Sequence, residues 1–112
     1  MITAIAFAFA AAAGALARAE ASRRWNRPAG LAAGTLVVNA VGSFLLGLMS
    51  EWTGPSVTVL GVGAVGAFTT FSSFARDVVA ALELRRRLLA VGYTTATLTM
   101  GVLAAAVGVA LG

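Results

Sequence analysis

Thr35, Asn39 and Ser43 recur at every fourth position within an uncharged run, Leu31–Ser50. At about 100° per helical residue they drift only about 40° around the axis, so they form one polar stripe. Asn39 is ninth among the 20 residues of that run, which puts its amide near the centre of a membrane the run crosses. An uncharged amide and two hydroxyls can donate hydrogen bonds to a small anion, or they can glue one helix to another. Gly34, Gly42 and Gly47 line the same helix and permit close backbone approach. The stripe alone leaves both uses open.

A second cluster follows in Ala67-Phe68-Thr69-Thr70-Phe71-Ser72-Ser73-Phe74, preceded by Gly61, Gly63 and Gly66. Thr69, Thr70, Ser72 and Ser73 make an unusual centre for a lipid-facing helix, and the glycines weaken helical order ahead of them. A break in the helix is expected here. Broken helices at membrane depth are tolerated where they line a cavity or bind an ion, and freed carbonyls suit a small hard cation. Phe71 and Phe74 stand three apart on one face, a spacing that ordinary packing also explains. Tyr93 and Thr97 are four apart in a later run that also holds Thr94, Thr95 and Thr99. Thr hydroxyls can bond their own i−4 carbonyls, so this line is weaker evidence of a site.

Composition says which elements must carry these residues. The chain has 112 residues, 60% apolar and 11% charged, with a net charge of +4, and its mean hydropathy is +0.94. A soluble domain carries about 25% charged residues, so this chain cannot cover a globule in water. The same numbers argue against disorder and, despite the basic balance, against a nucleic-acid module. With no His and no Cys, thiol nucleophiles, Cys/His zinc sites and Ser-His-Asp triads are excluded. Only Glu20, Glu51, Asp77 and Glu83 are acidic, so an enzyme is not expected.

Uncharged runs cover Ile2–Ala17, Leu31–Ser50, Trp52–Ala75 and Leu88–Gly112, of 16, 20, 24 and 25 residues. Crossing a hydrocarbon core of about 30 Å takes about 20 residues, and Arg18 can snorkel to extend the first run. That first run lacks the preceding basic residue of a signal peptide. The expectation is an all-α membrane protein, residues 1–112 forming one four-helix unit. Its spans lie at about 2–20, 31–51, 56–80 and 87–111, the third broken near its middle. Trp25 and Trp52 are set at span ends, and Thr53-Gly54-Pro55 forms a turn. Arg18, Arg23, Arg24 and Arg27 fall in the first connection, and Arg76, Arg85, Arg86 and Arg87 in the third. The opposite face holds no Lys or Arg, which predicts both termini outside the cytoplasmic membrane. An anionic-lipid or nucleic-acid patch is the rival explanation of these arginines.

The chain resembles the small fluoride channels of the Fluc (CrcB) family over nearly its whole length. The resemblance rests on Gly14-Ala15-Leu16-Ala17-Arg18, on Gly34-Thr35-Leu36-Val37-Val38-Asn39 with Gly42-Ser43-Phe44-Leu45-Leu46-Gly47, and on Gly66–Phe74. It implies a passive, fluoride-selective channel that lowers cytoplasmic fluoride, built from two antiparallel subunits with a structural sodium ion at their interface. By the same resemblance Asn39, Phe71, Ser72, Ser73, Phe74, Tyr93 and Thr97 belong to the fluoride path, and the carbonyls of Gly66 and Thr69 hold the sodium. Three positions depart from the family pattern. Ser73 replaces a usual Thr, Asp77 stands where Glu is usual, and Gly101 lacks a hydroxyl often found there.

Two other readings compete. A proton-coupled small multidrug transporter is also a four-span chain of this size, but it needs a membrane-embedded acid, and every acid here falls at a span end or connection. A non-conducting membrane scaffold explains the glycines and leaves the polar clusters without a use. The arginine bias adds an expectation of its own. A chain with eight basic residues on one side and none on the other inserts one way, so its antiparallel partner is a homologous subunit of opposite bias.

Overall fold

The computed structural model describes residues 1–28 and 30–112. Among the described residues five α-helices and one π-helical stretch follow in chain order: α1 (Ile2–Trp25), α2 (Ala33–Leu48), a π-helix (Val57–Val65) running into the single turn α3 (Gly66–Phe68), α4 (Phe71–Glu83) and α5 (Arg87–Leu111). Three stretches among the described residues are long and apolar enough to cross a membrane: Ile2–Trp25, Val57–Glu83 and Arg87–Leu111. At 16 residues α2 is shorter, about 24 Å at about 1.5 Å per residue. The longest extent of the chain is 48 Å, close to the roughly 40–45 Å of a bilayer with its headgroups.

Helix α1 continues past the expected end of its span at residue 20 and carries the first arginines on helix rather than loop. Glu20 pairs with Arg23 and Arg24 one turn on, both at 2.6 Å. Pairs at this spacing support an exposed helix by about 0.2–0.5 kcal/mol each. The helix stops at Asn26, whose extended backbone forms a bridge to Ala32. Between α2 and the π-helix the chain turns at Gly54, where φ is +79°, a conformation suited to glycine.

Packing follows the small residues. Helices α2 and α5 share the most extensive contact. There a methyl group on Gly47 would strike the Ala105 carbonyl, and one on Gly108 would strike the Phe44 carbonyl. Helix α1 lies against the π-helix, with Gly14 against the Ala64 carbonyl and Gly63 beside Phe7. Lipid gives no hydrophobic drive for helices to associate, so close backbone approach supplies the dispersion contacts that hold them. Few apolar side chains are buried, and Phe9, Leu16, Val62, Leu98 and Val102 are exposed. For a chain in lipid, those side chains face their solvent.

Candidate functional site

Thr69 and Thr70 separate α3 from α4. Both take extended backbone dihedrals between α3 and α4. Thr69 still donates its N–H and its hydroxyl to the Val65 carbonyl, at 2.9 and 3.2 Å. The next amide leaves the helix. Thr70 N–H donates to Asn39 Oδ1 at 2.8 Å, and Asn39 Nδ2 donates back to the Thr70 carbonyl at 3.0 Å. A side-chain amide from α2 thereby mimics a neighbouring strand and satisfies the backbone that the interruption exposes. Thr70 then starts α4, its Oγ1 accepting from Ser73 N–H at 3.1 Å. Gly42 of α2 makes room for the Thr69 methyl, which a Cβ there would strike.

Beside this junction lies a groove of about 280 Å³, lined by Asn39, Ser43, Thr69, Thr70, Phe71, Phe74 and Thr97, with Leu46 and Leu98. Helix α2 contributes Asn39 and Ser43, and Ser43 Oγ donates to the Asn39 carbonyl at 2.8 Å. Helix α5 contributes Thr97, whose Oγ1 is buried with no hydrogen-bond partner. The start of α4 contributes the two phenylalanines, their ring centroids 5.9 Å apart and tilted by 50°. Phe71 is 79% exposed and Phe74 half-buried. One Asn39 amide hydrogen is committed to Thr70, and no described protein group takes the other. The groove thus offers an amide N–H and two aromatic edges, with the unpartnered Thr97 hydroxyl buried in its wall, and among the described residues no formal charge lines it. Such donors and ring edges are complementary to a small anion.

Asn39, Phe71, Phe74 and Thr97 come together here, and Thr69 joins them. Ser72, Ser73 and Tyr93 lie outside the lining. Ser72 is exposed, its Oγ 3.5 Å from Thr70 Oγ1, and Ser73 takes part through its backbone amide in the α4 cap. Tyr93 is buried behind Phe74 with ring centroids 5.4 Å apart, and its hydroxyl donates to Asp77 at 3.3 Å. Thr35, at the head of the polar stripe, is fully buried and does not line the groove. Asn26 Oδ1 accepts its N–H at 3.0 Å, and Asn26 Nδ2 donates to its hydroxyl at 3.1 Å. Asn26 was not expected to matter; only its residue type, at home beside a helix start, signals the clip. The Tyr93–Asp77 contact spans 16 positions, and spacing gave no sign of it.

Long apolar helices held by close small-residue contacts are those of a multi-pass membrane protein. The profile of the CrcB-like protein family, Camphor Resistance (CrcB), matches residues 5–109. The chain belongs to that family. It is 40% identical, over its full length and 96% of the relative's, to the fluoride-specific ion channel FluC 2 of Natronomonas pharaonis. The fluoride-specific ion channel FluC of Agrobacterium fabrum is 41% identical over 70% of the chain and 69% of the relative. With the FluC 1 channel of Halobacterium salinarum identity is 48% over 59% of the chain, a match spanning 57% of that relative's length. The family resemblance carried by the Asn39 and Gly66–Phe74 motifs is therefore borne out.

Proposed function

We propose that this chain is a subunit of a fluoride-selective channel that lets fluoride leave the cytoplasm passively down its gradient. The observation that carries the reading is the groove itself: uncharged donors and aromatic edges gathered at one helix interruption, in a chain whose relatives are named fluoride-specific ion channels. Fluoride is small and strongly hydrated, so a selective path replaces its water with donors. Conduction also needs several weak sites rather than one tight one. The free Asn39 amide hydrogen and the Thr97 hydroxyl donate to the ion, while the rims of Phe71 and Phe74 face it with their partly positive edges. Tyr93, Ser72 and Ser73 serve the path by positioning: Tyr93 backs the Phe74 ring, and the two serines build the α4 cap that aims both rings.

The interruption is the functional break in this reading, and its donor set fits a sodium ion. In a continuous helix Thr70 N–H would close on the Gly66 carbonyl, but it goes to Asn39. Gly66 is exposed, and the turn Gly66–Phe68 ends with its carbonyls and the negative end of its dipole at the junction. The carbonyls of Gly66 and Thr69, with the same pair from a second subunit, would hold sodium; when bound it supplies a fixed positive field beside the path. The open side of the groove and the exposed Phe71 support an antiparallel two-subunit assembly. The eight arginines support one orientation for this chain, both termini outside the inner membrane, and a homologous subunit of opposite bias as its partner.

Efflux from proteoliposomes tests the reading. Rapid passive fluoride leak with chloride retained is the expected result. Proton-driven exchange of a cationic drug would instead favour the transporter, and vesicles tight to both halides would favour the scaffold.

A further inference from the structure

At the end of the bundle where α4 gives way to α5, a groove of about 610 Å³ opens between the chain entering α2 and the start of α5. That volume is in the range of small-molecule sites, about 300–1,000 Å³. Arg85, Arg86 and Arg87 form one wall, and Leu31, Leu88 and Leu89 line the rest with Gly30. Among the described residues no carboxylate lines it. Leu88 is 90% exposed and Leu31 is also exposed, so the arginines stand beside bare apolar surface. Arg85 has φ +59°, a left-handed conformation that glycine or asparagine adopts more readily. A long basic residue is held there against local preference, and it lines the groove.

We infer that this groove holds the headgroup of an anionic phospholipid. Guanidinium forks match phosphate oxygens in bidentate geometry, and the leucines give the attached glycerol and upper acyl chain an apolar wall. A free phosphate would use the arginines and leave the leucines bare; a lipid uses both. Basic grooves between helices at a membrane face are a recurrent setting for such headgroups. The site is separate from the polar groove at Asn39, and the inference stands apart from the fluoride reading.

The test uses the whole purified protein, exchanged into an equal mixture of phosphatidylglycerol and phosphatidylcholine, with the retained lipid measured by mass spectrometry after washing. Phosphatidylglycerol is retained over phosphatidylcholine in the parent. Arg85→Asn with Arg87→Gln lowers that retention at least about threefold, the size of one surface ion pair of about 0.7 kcal/mol. Arg23→Gln with Arg24→Gln, which removes equal charge from α1, leaves it unchanged. Asparagine suits the positive φ, so the first variant keeps its backbone; if the pair nevertheless fails to fold, Arg85→Asn alone against Arg23→Gln carries the comparison. Equal loss in both variants, or loss in neither, overturns the site. Displacement of the lipid by inorganic phosphate at the lipid's own concentration overturns the lipid as its occupant.

Discussion

The proposed path gives Asn39 a second task beside holding Thr70, and one substitution cannot separate the two while two can. Its amide bonds both the N–H and the carbonyl of buried Thr70. Asn39→Ala strands both, and at about 0.5–1.5 kcal/mol per bond the loss is about 1–3 kcal/mol, read as a lowered unfolding temperature in detergent. Asn39→Asp keeps the acceptor for Thr70 N–H but replaces the donor with a carboxylate, so fluoride flux falls even in folded protein. Unchanged flux in that variant would leave Asn39 as helix glue alone. Thr97 gives the cleaner case, because its hydroxyl has no protein partner to lose. Thr97→Val should leave stability unchanged or slightly raised while slowing fluoride about tenfold, the worth of one hydrogen bond of about 1.4 kcal/mol. Equal flux in Thr97→Val and the parent would take that hydroxyl out of the path.

The elements are held by backbone contact more than by side-chain burial. Gly108→Ala drives a methyl group into the Phe44 carbonyl at the α2–α5 contact. Overpacking of that kind costs about 1–3 kcal/mol. Gly92→Ala on the same helix meets nothing within 4 Å and should be neutral or mildly stabilising. A thermal-shift comparison of the two decides whether this contact sets stability. The elements were also what the sequence announced best. Uncharged runs announced the apolar helices, and among the described residues three stretches are long enough to cross a membrane, because the cost of charge in lipid leaves few other readings. The Thr69–Ser73 cluster pointed to the region where Thr69 and Thr70 turn extended. What stayed hidden was pairing across distance. Asn39 finds Thr70 over 31 positions and Asn26 finds Thr35 over nine, and neither separation leaves a periodic trace. The first span is expected to stop near residue 20, and the helix carrying it runs on to Trp25, where Glu20 pairs with Arg23 and Arg24.

For the whole molecule, charge and groove bear together on the proposed assembly. All eight basic residues fall in the two expected same-side connections, and the groove of a single chain is open beside exposed Phe71. A topology reporter at the C-terminus, expressed without any partner, should therefore face one side only; comparable populations on both sides would refute a fixed orientation. The most direct test of the account joins flux to assembly in one substitution, Phe71→Ile. Phe71 is 79% exposed in the single chain, so its loss removes a ring edge from the proposed path without opening a core. Fluoride-electrode recording on proteoliposomes of the assembled channel should show rapid loss of fluoride from the parent and almost none from Phe71→Ile at equal assembly by size exclusion. Parent-like fluoride release from the variant would contradict the aromatic path, and a parent that holds its fluoride would contradict the channel.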